Sequence, residues 1–260
     1  LRNQDGDPAD AAGAVTCNIA RADGTVLATG RAATNPAGAG TVEVALTTSE
    51  AAQLDVIRVV WLDGGVERAS SWHRLVGGFL FGLSELQAKL GMANVAVPQL
   101  RAERDRITDL IERETGVCWS PQYDLEECAG YGRSRHVTRW RPLRSVRSLT
   151  IDGVAISAAD LDIDEAAGVF EADQALSGWM TVGYEHGFDQ PTDSLRDAAL
   201  IAAADRLQRE FSALSSRVRR STNDMGMTVE YSFAGRDHPT GIDEVDAVIV
   251  AHDMRSPGFA

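Results

Sequence analysis

The chain has 260 residues, of which 44% are hydrophobic and 24% charged, and a formal net charge of -13. This length buries one full core or two smaller ones, and the composition excludes a disordered or collagenous chain. The acidity disfavours a nucleic-acid-binding surface, which needs clustered Lys and Arg. The longest apolar runs, at 56–62 and 76–83, are too short and interrupted to cross a bilayer, and the opening residues carry no signal-peptide pattern. The expectation is a protein of cytoplasmic origin with no membrane partner.

The first pattern along the chain is β. Ile19 to Ala22 and Thr25 to Ala28 flank Asp23-Gly24, which predicts a hairpin with a type I′ turn. Val42, Val44 and Leu46 alternate with polar or small neighbours, as in a half-buried strand. Val56 to Leu62 is apolar on both faces and reads as a central strand, and Asp63-Gly64-Gly65 turns it back into a last strand over 66–75. Together these predict an N-terminal antiparallel β-sandwich, Ig-like in kind, over residues 1–77. Residues 78–96 read as a short helix (84–90) and a linker.

A helical domain with a small β-insert is expected over 97–223. Pro98 suits a first helical turn, Leu100, Ile107, Leu110 and Ile111 mark one face, and Gly116 marks the end. Strand-like pieces follow at 137–143, 146–151, 169–172 and 179–184. Pro191-Thr192-Asp193 opens the longest helix, capped by Asp193 and closed by Arg217, Arg219 and Arg220 against its C-terminal dipole. Its packing stripe is Leu195, Ala199, Ala202, Leu207, Phe211 and Leu214 with Val218, flanked by small residues Ala198, Ala203 and Ala204. Residues 224–260 read as an extended C-terminal arm, in which Val229, Tyr231 and Phe233 alternate with Thr228, Glu230 and Ser232. The fold class is therefore α+β.

Chemistry-bearing residues give little. Cys17, Cys118 and Cys128 are odd in number and widely spaced, so reduced, buried thiols are expected rather than disulfides or a CxxC metal knuckle. Histidines 73, 136, 186, 238 and 252 lack HxxxH or HxH spacing and read as surface residues. Asp160, Asp162, Asp164 and Glu171 copy calcium-loop offsets, but Glu165 stands where that loop needs glycine, so a strand with a solvated acidic face is the better reading. No GxSxG, GxxxxGK or GxGxxG occurs. The expectation is no enzyme, no catalytic residue, no metal and no cofactor.

Basic residues are almost all arginine, with Lys89 the single lysine. Arg133, Arg135, Arg139, Arg141, Arg144 and Arg147 form a local basic stretch. In decreasing order of expectation, it is a solvated strand face, an ion-pairing partner for the acidic stretch from Asp160 to Asp173 of a neighbouring copy, or a contact for DNA phosphates.

Six segments in order carry a resemblance: Phe79-Leu80-Phe81-Gly82-Leu83-Ser84-Glu85-Leu86; the helix before Thr115-Gly116-Val117-Cys118; Arg141-Pro142-Leu143-Arg144-Ser145-Val146 leading to Ile151-Asp152-Gly153; Val182 to Phe188; Pro191 with Leu195 to Leu200; and Thr240 to Val248. Over about two thirds of its length the chain resembles the head-to-tail connector (adaptor) proteins of long-tailed bacteriophages, actinobacteriophage-like in particular. The resemblance implies a structural virion protein that forms a homo-oligomeric, dodecameric ring in the neck between head and tail, after assembly in the host cytoplasm. Its implied partners are the portal protein, a head-closure or tail-terminator protein, and DNA that passes through the lumen without sequence-specific binding. Under it, Val229, Tyr231 and Phe233 would dock on the portal or a neighbour. The N-terminal sandwich departs from connectors that consist of the helical part alone. The alternative is a glycan- or protein-binding sandwich on a helical stalk.

Overall fold

A computed structural model describes residues 14–34, 42–91, 95–211, 220–222, 228–230 and 239–254. The chain is α+β and divides into two compact units, one of residues 1–77, 121–139 and 143–186, the other of residues 78–120, 140–142 and 187–260. No helix of the described residues is long and apolar enough to cross a membrane.

The β-rich unit opens with β1 (Val15–Arg21), β2 (Val26–Ala32), β3 (Asp55–Asp63) and β4 (Val66–Leu75), which make one antiparallel sheet in the order β2-β1-β3-β4. Among the described residues of this region the strands make one four-stranded sheet, whose buried Cys17, Ile19, Ile57 and Val59 are covered by Val44, Leu46, Leu75 and neighbours. The 42–46 segment keeps its alternating burial but forms no ladder beyond a bridge between Thr34 and Glu43. The β1–β2 turn is longer than type I′. Gly24 N–H donates to Arg21 C=O and Arg21 N–H to Thr25 C=O, with only Gly24 at positive φ (+88°), so a type I turn followed by a left-handed glycine closes it. β3 lies between β1 and β4, a central strand as expected, and its Asp55 is an inward charge paired with Arg21.

The second sheet of this unit holds β5 (Gln122–Val137), β6 (Leu143–Ile151), β7 (Val154–Ile156), β8 (Leu161–Asp164) and β9 (Val169–His186). Its order is β5-β9-β6-β7, with β8 also on β9. β9 joins the pieces expected at 169–172 and 179–184 into one strand, whereas β5 covers 122–136, where no strand is expected. The piece expected at 137–143 leaves the ladder after Val137 and re-enters at Leu143. Irregular register at two points of the β5–β9 ladder and two of the β6–β9 ladder bends these strands. Met180, Val182, Tyr184 and His186 alternate into the buried side of β9.

The helical unit contains α1 (Leu83–Leu90), α2 (Val97–Thr115), α3 (Asp193–Phe211) and α4 (Asp243–Ala251). Gly82 N–H donates to the Glu85 carboxylate and so tethers the start of α1. Pro98 lies in the first turn of α2, and Gly116 ends it in the left-handed region with its N–H on Glu112 C=O. α3 is described from Asp193 to Phe211. Arg217, Arg219 and Leu214 lie outside the described residues, as does Val218, and Arg220 belongs to β10 (Arg220–Thr222), which pairs with β11 (Thr228–Glu230). Thr192, not Asp193, caps α3, its Oγ1 accepting from Leu195 N–H.

α4 lies within the stretch expected as an extended arm. Val245 and Ile249, one turn apart, are 0% and 2% exposed in the same core as Leu100, Ile107, Ile111, Leu195 and Leu207. β-branched residues crowd its sequence and mask the helical period, but burial of that stripe outweighs their propensity. The buried Asp246 carboxylate accepts from Thr240 N–H and Oγ1–H and from Gly241 N–H, which fixes the loop entering the helix.

Candidate assembly surfaces

Within the helical unit, α3 is the element about which the others pack. Leu195, Ala198, Ala199, Ala202, Ala203, Ala204 and Leu207 are all buried, and they share one core with residues of α1, α2 and α4. The alanine face is therefore filled from inside the unit, since a methyl side chain lets neighbouring helices approach closely. Phe211, at the end of the stripe, is 49% exposed. The α2–α3 contact includes an ion pair between Glu103 and Arg206 at 2.7 Å, where burial, opposed by the Arg206 charge, raises the Glu103 carboxyl above its usual range.

The residues between α2 and β5 and after β9 lock together. Trp119 stacks on Phe188 at 4.8 Å and meets His252 edge-on at 5.6 Å, while its indole N–H donates to Thr115 Oγ1 at 2.9 Å. Phe188 N–H donates to Cys118 C=O and Gly187 N–H to Pro142 C=O. Arg141 donates to the Met254 carbonyl at 2.6 Å. A shallow pocket of about 200 Å³ lies by Phe79, Phe81, Pro191 and Arg196. Arg104 sits over the Phe79 ring, 3.3 Å from its centroid.

In the β-rich unit the arginine stretch splits. Arg133 and Arg135 are exposed on β5, and Arg139 is exposed in the bend after it. Arg147 turns back onto its own unit, pairing with Glu185, donating to Leu54 C=O at 2.7 Å and lying over the Tyr123 ring. Asp160, Asp162 and Asp164 are exposed around β8. Asp162 faces Glu171 across the β8–β9 ladder, and Arg135 faces Glu171 across β5–β9, so these three form one cross-strand row. Asp164 Oδ1 accepts from Ala167 N–H in the turn. The acidic offsets thus build a strand and its turn, not a calcium loop.

Val229 lies in β11 opposite Ser221, whereas Tyr231 and Phe233 lie outside the described residues, as does His238. A further opening of about 330 Å³ on the first sheet is lined by Val15, Val42, Trp61, Arg68 and His73.

His186 departs from the surface reading, because it is 1% exposed at the end of β9. Its neighbour Glu185 takes the opposite face, as adjacent strand residues must. Burial, reinforced by the Arg74 charge, pushes the His186 imidazole down to about 3. It is therefore neutral in the fold where an unfolded chain, with a pKa near 6.5, begins to bind a proton. Stability from this site is constant above about pH 6.5 and falls below it, by up to about 1.4 kcal/mol per pH unit. Urea titrations at pH 6.5 and 5 should show this loss, and His186→Phe should flatten it; an unchanged slope in the variant counts against the assignment.

No family model matches the chain, and no curated protein does. Among solved structures, one described as the neck of an empty GTA particle, computed with C6 symmetry, is similar at 16% identity and a TM-score of 0.43, over 54% of this chain and 83% of that one. Another, the neck of a native GTA particle computed with C12 symmetry, is similar at 13% identity and a TM-score of 0.39, over 54% and 87%. Identity and score are both too low for either the fold or the role of those necks to be carried over to this chain.

Proposed function

We propose that this chain is a structural subunit of the neck of a phage-like particle, where copies form a ring that joins the portal to tail or head-closure proteins and surrounds the passing DNA. One observation carries the reading. Five of the six connector-like segments, far apart in sequence, bring Leu80, Phe81 and Leu86, Val117, Leu195 and Ala199, and Val245 into a single core with Phe188 packed against it, while the segment at 141–153 lies mostly in the β-rich unit. A chance series of short matches has no reason to converge on one core.

Under this reading Arg133, Arg135, Arg139 and Arg141 pair with Asp160, Asp162 and Asp164 of the next copy, and Val229, Tyr231 and Phe233 dock on the portal or a neighbour. The net charge of -13 suits a lumen that repels DNA and lets it slide. Light scattering and electron microscopy of the purified chain, alone and with the portal, should show rings. Their yield should fall at high salt, because exposed ion pairs are screened, and in an Arg133→Glu/Arg135→Glu variant. A monomer under all of these conditions would sink the proposal. Truncation from Gly226 is a poor test of docking, because it removes α4 from the core; Tyr231→Ser/Phe233→Ser leaves that helix in place. The opening beside Trp61 supports a second reading, a binding module, which glycan-array or pull-down experiments on a monomeric protein would favour.

A further inference from the structure

Glu126, Cys128 and His136, all half-buried, belong to none of the surfaces above, yet one donor atom from each lies within 4.8 Å of the other two. Glu126 Oε1 is 3.7 Å from His136 Nε2, and Cys128 Sγ is 3.9 Å from the same nitrogen. All three sit on β5. Ten residues of straight strand would hold positions 126 and 136 about 33 Å apart. They meet because the register against β9 shifts between Tyr131 and Arg133 and again between Arg133 and Arg135, and the strand bends there.

Supporting contacts already orient the donors. Glu126 Oε2 accepts from Arg139 N–H at 3.0 Å and from the Tyr184 hydroxyl at 3.1 Å, which turns Oε1 toward His136. The His136 ring rests against Phe170, with centroids 5.1 Å apart. Tyr184 and Phe170 are both fully buried, so they form a rigid backing.

A thiol, an imidazole and a carboxylate form the donor set of tetrahedral zinc, whereas calcium and magnesium take oxygen ligands. Bond lengths of about 2.0 to 2.3 Å place tetrahedral donors roughly 3.3 to 3.7 Å apart, so the separations of 3.7 and 3.9 Å from His136 Nε2 already fit closely, and Glu126 and Cys128, within 4.8 Å of each other, close by about 1 Å at most. We propose that Glu126, Cys128 and His136 bind one zinc ion, with a water in the fourth position, and that the ion ties the two ends of the bent β5 together. On binding, the Cys128 S–H bond breaks, its electron pair goes to the metal and its proton to solvent, so affinity rises with pH.

The test uses the full chain, stripped with a chelator and shown to be folded by circular dichroism. Cobalt(II) should give thiolate charge-transfer and tetrahedral visible bands, one equivalent of zinc should abolish them, and zinc should raise the melting temperature. Cys128→Ser and His136→Gln should weaken zinc binding by more than about 100-fold, and Tyr184→Phe, which removes only a supporting hydroxyl, by about 10- to 100-fold. His73→Gln, outside the donor set, should change nothing. A folded chain with no cobalt–thiolate bands, or one whose zinc affinity survives Cys128→Ser and His136→Gln, would overturn the proposal.

Discussion

Gly187→Ala is expected to destabilise the helical unit by roughly 3 to 5 kcal/mol, among the largest effects of any single methyl group in this chain. Two costs coincide at this residue. Its φ is +95°, a region that side chains with a Cβ avoid, and the added carbon would lie 2.2 Å from the Ser120 carbonyl oxygen and 3.3 Å from that of Cys118. Both obstacles are backbone, so no rotamer change relieves them. Moving the chain would strain the bonds from Gly187 N–H to Pro142 and from Phe188 N–H to Cys118, and with them the stacking of Phe188 on Trp119. Gly91→Ala separates the two costs, since Gly91 has φ +63° but open space around its missing Cβ. It should lose only about 1 to 2 kcal/mol. Denaturant midpoints for both variants give the comparison, and equal losses would show that the clash is relieved elsewhere.

The second large effect concerns α3. Leu195→Ala should cost about 2 to 5 kcal/mol, because Leu195 is fully buried and its removal leaves a cavity. Ala199→Leu should cost about 1 to 3 kcal/mol, because Ala199 is also fully buried and the core must open to admit the larger side chain. Phe211→Ala, at an exposed position, should lie within about 1 kcal/mol of the parent. The measurement is unfolding of the isolated subunit. Were the alanine face a contact between subunits, Ala199→Leu would leave subunit stability intact and abolish only assembly, so the two arrangements give opposite results.

Features with a local cause were legible in the sequence. Pro98 and Gly116 bracket α2 because one lacks an N–H that a first turn does not use and the other tolerates a left-handed end. Asp23-Gly24 marks a hairpin, and the 3.6-residue stripe from Leu195 to Leu207 marks the buried face of α3. The α+β class follows from these signals together. Of the proposed assembly residues, the sequence showed which carry charge and which alternate, because those are properties of type and spacing.

Tertiary structure decided the rest. α4 exists because Val245 and Ile249 find a core contributed by α2 and α3, although the run 245–250 is mostly β-branched. His186 is buried because β9 extends to its end as a central strand, a fact set by pairing with β5 on one side and β6 on the other. Arg135, Glu171 and Asp162 share a row only through register, and Glu126 and Cys128 reach His136 only through the bend in β5. The composition, the turns and the helical periods of this protein are local and were fixed by neighbouring residues. Its rows, its buried polar groups and its donor cluster depend on which distant strands pair, and in what register, because that choice is set by the burial of whole faces and not by any short stretch of chain.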